Sequence, residues 1–218
     1  MSYGINAPQG LVPCRTLTGA PITMPVNTYT LSADSTGQIT YDNNIFTNDP
    51  VTFDGNGNVR LAAVGEPILG VFISCQYEET TATNPVNPFN FYSYWRASSS
   101  IRPGSKILVS IMDDPNLIYN IQSNLATGLT MASVGKNANF AIPLNGAGLN
   151  IGDFSTGISK AVLDGVPSSG NAPYNLKVLR SVTVPGNGWS VNGNLPYNNV
   201  EVIANNHIYK GGSGTAGI

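Results

Sequence analysis

Short apolar runs recur along this chain, and several alternate with polar residues at the period of two that a β-strand requires. In residues 117–122, Leu117, Tyr119 and Ile121 fall on one face of an extended strand, while Asn120 and Gln122 fall on the other. This pattern predicts a strand with one buried face. Similar alternation, or an unbroken apolar run of strand length, predicts further strands over residues 68–75, 106–112, 158–163, 176–184 and 200–208.

A turn-rich pentapeptide predicts a β-hairpin. Asp54-Gly55-Asn56-Gly57-Asn58 separates two apolar segments, residues 50–53 and 59–63, and Asp or Asn beside Gly is favoured in tight hairpin turns. The same pentapeptide is similar to the opening of an EF-hand calcium loop, but Gly65 stands where that loop requires its glutamate. We therefore interpret it as a hairpin rather than a cation site.

Helical periodicity is nearly absent from the sequence. The best window, residues 122–133, is diluted by Gly128 and two threonines and favours no more than a turn or two. Short strands joined by Gly, Pro and Asn turns are typical of all-β proteins. We predict an all-β fold, with a single β-sandwich or β-barrel-like domain over residues 26–210. A jelly roll is one topology that fits, and the pattern does not order the strands.

The two ends differ from this domain in composition. Prolines at positions 8, 13, 21 and 25 prevent helix and weaken strand pairing, so we predict that residues 1–25 form an extended N-terminal arm lying on another surface. Residues 211–218 are rich in glycine, which predicts a flexible C-terminal tail.

Charge and composition exclude several classes of protein. The chain has 218 residues, and its 10 basic and 12 acidic side chains give a net charge of −2. This balance lacks the excess of basic residues that is typical of proteins that bind nucleic acid. The hydrophobic content of 41% argues against a disordered chain. The sequence has no apolar run of membrane-spanning length and no recognisable secretion signal, so we expect no membrane partner. Two cysteines, Cys14 and Cys75, are too few for a disulfide scaffold.

Residues suited to catalysis are sparse. His207 is the one histidine in the sequence, and we interpret it as a strand residue hydrogen-bonded to its neighbours. The adjacent carboxylates Asp113 and Asp114 point to opposite faces if they lie on a strand, whereas a glycosidase needs two carboxyl groups that converge on one bond. Followed by Pro115, they indicate a strand end entering a turn. We expect no enzyme activity, cofactor, metal or small-molecule substrate.

Aromatic residues are concentrated after a Pro- and Asn-rich loop, residues 84–88. The concentration comprises Phe89, Phe91, Tyr92, Tyr94 and Trp95. Three interpretations remain open: a satellite core under the loop, an anchor for a protein partner, or a stacking surface for a sugar ring.

Several short segments, taken in order, give the chain a family resemblance. They are Asn6-Ala7-Pro8-Gln9-Gly10-Leu11-Val12-Pro13 with Arg15 and Gly19-Ala20-Pro21, Ile45-Phe46-Thr47-Asn48-Asp49-Pro50-Val51, Ile68-Leu69-Gly70-Val71-Phe72, Tyr94-Trp95-Arg96-Ala97, Asp113-Asp114-Pro115-Asn116 with Ile121-Gln122, Val134-Gly135-Lys136-Asn137-Ala138, Leu176-Lys177-Val178-Leu179 and Asn205-Asn206-His207. Together they resemble the head decoration, or cement, proteins of tailed bacteriophages. Cys14 and the glycine-rich tail depart from that pattern.

The resemblance implies a non-enzymatic virion protein, made in the host cytoplasm, that binds the outer surface of a mature icosahedral capsid and stabilises the junctions between capsomers. Its implied partners are the major capsid protein and further copies of itself, as a homotrimer. The residues expected to bind a partner are Asn6, Pro8, Leu11, Pro13, Arg15, Tyr92, Tyr94 and Trp95.

Two alternatives remain open on the sequence. A tail-associated or adhesin-type β module would bind host glycan through the aromatic concentration. A glycan-cleaving enzyme would use Asp113 or Asp114 with a distant carboxylate.

Overall fold

The computed structural model describes residues 5–23, 26–31, 41–79, 89–97, 99, 101–102, 105–170 and 174–210. The predicted C-terminal tail, residues 211–218, lies outside the described residues, as do residues 1–4 and 24–25 of the predicted arm.

The described part of the chain forms fourteen β-strands and two short 3-10 turns, so the predicted all-β class is confirmed. The strands are β1 (Val12–Thr16), β2 (Asn27–Thr30), β3 (Ile45–Phe46), β4 (Pro50–Phe53), β5 (Val59–Leu61), β6 (Gly70–Glu78), β7 (Phe89–Tyr92), β8 (Tyr94–Trp95), β9 (Leu108–Met112), β10 (Leu117–Gln122), β11 (Asn137–Ala141), β12 (Val162–Ser168), β13 (Leu176–Ser181) and β14 (Asn199–Ala204). Among these described residues, no helix is long and apolar enough to cross a membrane.

The first sheet is antiparallel and has the order β1-β10-β14-β13-β11-β12. Its far strand curls back towards β10, because Asn124 N donates to the Leu163 carbonyl at 3.1 Å and Ser123 forms a parallel bridge with Leu163. The side-chain amide of Asn124 extends the contact, since its Nδ2 donates to Asp164 Oδ1 and its Oδ1 accepts from Gly165 N. This sheet is therefore nearly closed, and the open edge of β12 is partly covered.

One face of the first sheet covers a hydrophobic core. Residues that alternate along β10 and β14 point into it, including Leu117, Tyr119 and Ile121 as the sequence predicts. Val71 and Met112 enter the same core from the second sheet, so the two sheets share it in a sandwich-like arrangement.

The second sheet has the order β2-β9-β6-β4-β5, with β7 also paired to β6. The predicted hairpin is present as β4 and β5, and Asp54 Oδ1 accepts from the main-chain N–H groups of Asn56 and Asn58 at 2.8 Å. A two-stranded ribbon of β3 and β8 packs against this sheet, and a second core, containing Phe72 and Trp95, lies between them.

Predicted strand boundaries shift by several residues, for example from 68–75 to β6 and from 200–208 to β14. The strand predicted over residues 158–163 begins later, as β12, because Ser159 is instead buried in a hydrogen-bond network described below. The window at residues 122–133 contains a single 3-10 turn, Met131–Ser133.

The prediction of a separate N-terminal arm needs correction. Residues 12–16 form β1, which pairs with β10 at the edge of the first sheet. An edge strand tolerates Pro13 because one side of the strand makes no ladder hydrogen bonds. Leu11 is 1% exposed and belongs to the first core. The described part of the arm is therefore built into the domain.

Candidate functional site

The arm residues predicted to bind a partner have unequal access to solvent. Asn6 is exposed, and Pro8 and Pro13 are half-buried. Leu11 is buried, so its side chain is not available to a partner, which corrects that prediction.

Arg15 is engaged within the chain. Its guanidinium forms an ion pair with Glu201, which also accepts two hydrogen bonds from Arg180. Burial opposes ionisation of Glu201, but the hydrogen bonds from Arg180 and Arg15 outweigh it, and the pKa of Glu201 is lowered. The cluster ties β1, β14 and β13 together across the outer face of the first sheet, so Arg15 has a structural role.

The aromatic concentration divides into buried and exposed parts. Trp95 is 1% exposed, packs edge-on against Tyr77 with ring centres 5.3 Å apart, and donates from Nε1 to the Tyr41 carbonyl. Tyr92 is half-buried and stacks on Tyr77 at 4.6 Å. Trp95 is therefore a core residue, which corrects its assignment as a partner contact. Phe91 is 73% exposed.

Tyr94 belongs to an aromatic cluster that includes residues from two other segments, in which Phe46 is buried, Tyr94 is half-buried and Phe154 is exposed. Its ring stacks on Phe46 at 5.6 Å, and Phe154 packs edge-on against both, at 5.0 Å from Phe46 and 5.6 Å from Tyr94. The guanidinium carbon of Arg96 lies 5.2 Å from the centre of the Phe154 ring, within the range of a cation–π interaction. We call Phe46, Tyr94, Arg96 and Phe154 the aromatic platform.

A tight loop presents Phe154 at the surface, where it is 42% exposed. Asp153 Oδ1 accepts from the N–H and the hydroxyl of Ser155, at 2.9 and 2.7 Å, and the loop closes at Gly157. Gly157 has a φ of +74°, and a Cβ there would collide with Ser93. Only glycine meets both conditions without strain, so the sequence Asp153-Phe154-Ser155-Thr156-Gly157 determines this presentation locally.

Main-chain hydrogen bonds fix the loop against the β3–β8 ribbon. Thr47 N donates to the Gly157 carbonyl at 2.9 Å and to the Ser93 carbonyl at 3.2 Å. Ser159 N donates to the Thr47 carbonyl at 2.9 Å. The platform is therefore carried on a preorganised scaffold.

A buried polar network lies beneath the platform. The carboxylate of Asp49 is 0% exposed and accepts from Phe46 N, Asn150 Nδ2 and the Ser159 hydroxyl. Burial raises the pKa of Asp49 to about 7, although each of these hydrogen bonds acts to lower it. Asn44 extends the network, since its Nδ2 donates to the Asn150 carbonyl and its Oδ1 accepts from Ala97 N.

Two depressions flank Arg96. The larger, of about 470 Å³, is lined by Phe154, Ile151, Asn145 and Asp42 among others. The smaller, of about 240 Å³, is lined by residues that include Tyr92, Tyr94 and Glu79. An exposed aromatic ring beside an arginine, with depressions next to them, has the residue types that are enriched at the centres of protein interfaces.

A third depression, of about 410 Å³, lies beside the N-terminal segment. It separates residues 5–12 from residues 182–199, and Asn120 and Gln122 of β10 form its floor. We call it the arm groove. Gln122 holds the near rim in place, since its Oε1 accepts from Ala7 N and its Nε2 donates to the Ile5 carbonyl, both at 2.9 Å.

The residues considered for catalysis have structural partners. Asp113 accepts from Asn27 Nδ2 at 2.9 and 3.0 Å, and from the Tyr29 hydroxyl. His207 is 1% exposed, and its Nδ1 accepts from Tyr209 N at 3.1 Å. Burial, followed by the nearby charge of Lys210, lowers the pKa of His207 to about 4. Within the described ranges, no group of three or more His, Cys, Asp or Glu side chains is arranged to hold a metal ion.

Comparisons with known protein families, with curated proteins and with solved structures find no match to this chain. The candidate sites are therefore inferred from the geometry of this chain alone.

Sequence reasoning did not identify Phe154, Arg96 or the Asp49 network as parts of a site. The available signal for Phe154 was a large aromatic residue inside a polar turn that ends in glycine. No local pattern brings Phe46, Tyr94 and Phe154 together, because they come from three separate segments.

Proposed function

We propose that the chain is a non-enzymatic structural protein of a bacteriophage virion, which binds the outer surface of the mature capsid and stabilises capsomer junctions. The observation that carries this proposal is the aromatic platform, in which an exposed phenylalanine and an arginine are held on a rigid main-chain scaffold. Aromatic and arginine side chains contribute most of the binding energy at many protein interfaces. The ordered sequence resemblance supports the choice of a capsid as the partner.

The distribution of charge supports association rather than chemistry. Only 10% of the residues are charged, and Asp49, Asp113 and Glu201 are each engaged in hydrogen bonds inside the molecule. A surface with few charges loses little hydration energy when it meets another protein.

We also propose that the protein acts as a homotrimer at three-fold positions of the shell. Linking three copies raises the effective concentration of the second and third contacts, so interfaces of modest affinity hold firmly together. An interface of about 800 Å² per partner is a standard size for such contacts.

The copy number of the chain in purified virions tests this function. Quantitative mass spectrometry against the major shell protein should give a ratio near one to one, or another ratio set by the shell lattice. A ratio of a few per cent would contradict decoration of the lattice and would place the protein at the tail or at a vertex.

Binding to heads that lack the protein tests the platform itself. Phe154→Ala should lower the affinity by about thirty-fold, which is the effect of removing a hot-spot side chain worth about 2 kcal/mol. Val166→Ala is the matched control, because Val166 is 74% exposed on β12 and lies outside the platform. Equal binding by both variants would show that the platform is not the docking site.

Glycan binding is the second candidate function. It is favoured by the exposed Phe154 ring beside a depression that Asn145 and Asp42 line with amide and carboxylate groups. A glycan array probed with the wild type and with Phe154→Ala tests it. Saturable binding that is lost in the variant, together with a low copy number in virions, would replace the capsid proposal.

A further inference from the structure

We infer that the arm groove is a docking site for an extended, uncharged segment of a partner protein, which pairs with the main chain of residues 7–9. This inference rests on the proposed function, since it takes the capsid shell as the source of that segment. It assigns the N-terminal arm the role of a fixed rim instead of a free arm.

The first argument is the chemistry of the lining. Seventeen of the described residues line the groove, and none of these carries a charged side chain. The lining consists of amides such as Asn187 and Asn199, small or proline-rich stretches such as Pro185-Gly186, and apolar side chains. Ile5 and Val184, which both line the groove, are 62% and 50% exposed. Because a charged occupant would lose its hydration without an ion pair in return, the groove favours a neutral one.

The second argument is the main chain of the near rim. Within the described part of the chain, residues 6–10 use the Ala7 N–H and the Gln9 carbonyl in hydrogen bonds, to Gln122 and Asn48. The N–H groups of Gln9 and Gly10 and the carbonyls of Ala7 and Pro8 make no hydrogen bond to a described residue. Main-chain donors and acceptors that are free in this way can pair with an incoming strand, as sheet edges do in β-augmentation. Gly10 takes no part in this pairing, since it is buried and has a φ of +74°.

The third argument is the geometry of the floor and the far wall. The side-chain oxygen of Asn120, at the floor, is buried and has no hydrogen-bond partner among the described residues. Tyr197, in the far wall, has a φ of +52°, which is strained for a bulky residue and is held there by a bond from its N–H to the Leu125 carbonyl. Strained residues of this kind cluster at binding sites.

A neutral glycan also suits an uncharged, amide-lined groove. The free main-chain groups favour a polypeptide, because the main chain of a peptide carries its own donors and acceptors that can pair with them along the rim. Glycan binding is therefore one of the outcomes that would overturn the inference.

The test introduces a carboxylate into each wall of the groove and measures binding to heads that lack the protein. Val184→Asp and Ile5→Asp should each lower the affinity by at least about ten-fold, because the new charge is desolvated by the occupant. Val191→Asp and Leu17→Asp are matched controls, since these residues are 68% and 53% exposed, close in sequence and outside the lining. Circular dichroism and thermal melting of all four variants establish that they fold.

The salt dependence of wild-type binding provides an independent readout. The affinity of binding through a neutral groove should change little between 50 and 500 mM salt. Binding through surface ion pairs would weaken over this range, because the screening length falls from roughly 14 Å to roughly 4 Å. If the wild type binds heads and the groove variants bind as well as their controls, the inference is wrong and the proposed function stands. If the wild type does not bind heads, the proposed function fails and the inference fails with it. Glycan-array binding that Val184→Asp abolishes would assign the groove to carbohydrate instead.

Discussion

Asp49 and Asn150, which are 101 residues apart in the chain, are joined by a buried hydrogen bond of 2.6 Å between Asn150 Nδ2 and Asp49 Oδ2. This bond connects the start of β4 to the loop that carries Phe154. Among the described residues, the carboxylate of Asp49 has no basic partner, and three hydrogen-bond donors surround it instead.

The position of Asp49 predicts a pH-dependent stability. Its pKa is about 7 in the folded protein and about 3.9 in an unfolded chain. The contribution of Asp49 to the free energy of unfolding is therefore fully present below pH 4 and declines as the pH rises to about 7, because the unfolded chain ionises first. Urea denaturation of the wild type and of Asp49→Asn between pH 4.5 and 8.5 measures the effect. The free energy of unfolding of the wild type, relative to that of Asp49→Asn, should fall as the pH rises to about 7 and then level off. A constant difference would show that Asp49 titrates alike in both states.

Gly152 is predicted to be essential for the platform. A Cβ at this position would lie against the Phe46 ring, closer than van der Waals contact allows. Gly152→Ala should therefore destabilise the protein by about 1–3 kcal/mol, the usual cost of overpacking, and should weaken binding to heads by displacing Phe46. Gly146→Ala is the control, since a Cβ there meets no atom within 4 Å. Equal melting temperatures for the two variants would contradict the tight packing at Gly152.

Truncation of Leu11 and truncation of Leu17, in the same N-terminal segment, should affect the stability of the protein differently. Leu11 is 1% exposed and Leu17 is 53% exposed. Leu11→Ala should cost about 2–5 kcal/mol, as a core truncation does, while Leu17→Ala should change the stability by no more than about 0.5 kcal/mol. Chemical denaturation of both variants compares them directly. A neutral Leu11→Ala would mean that the segment does not pack into the first core in solution.

Both cysteines are predicted to be unreactive in the folded protein. They are free thiols, and burial raises the pKa of Cys75 to about 12 and contributes most to raising that of Cys14 to about 11. Since the thiolate is the reactive form, Ellman's reagent at pH 8 should label the native protein slowly and the urea-unfolded protein quickly. Rapid labelling of the native protein would show that the thiols are more accessible than the structure indicates.

Local features of the sequence account for much of the fold. The pentapeptide at residues 54–58 predicts its own hairpin, because Asp54 caps the turn that its neighbouring glycines permit. The alternation in β10 predicts which side chains enter the first core. Both features depend on residues a few positions apart, and the period of a strand is visible at that range.

Burial of the partner-binding candidates depended on distant parts of the chain. The sequence predicts that Leu11, in the N-terminal arm, and Trp95, in the aromatic concentration, contact a partner, yet both side chains are buried. Leu11 is covered because β1 pairs with β10, which is more than a hundred residues away. No local pattern distinguishes an apolar side chain that is buried in the protein's own core from one that is exposed and binds a partner.

The sequence by itself determined the all-β class, the turns and the direction in which each strand's side chains alternate, because these follow from backbone preferences and nearest neighbours. The tertiary structure decided the near closure of the first sheet at Asn124 and Leu163, the assembly of Phe46, Tyr94 and Phe154 into one cluster, and the buried network around Asp49. Each of these joins segments that are far apart in the chain, so each depends on how the sheets pack and not on any single segment's preference.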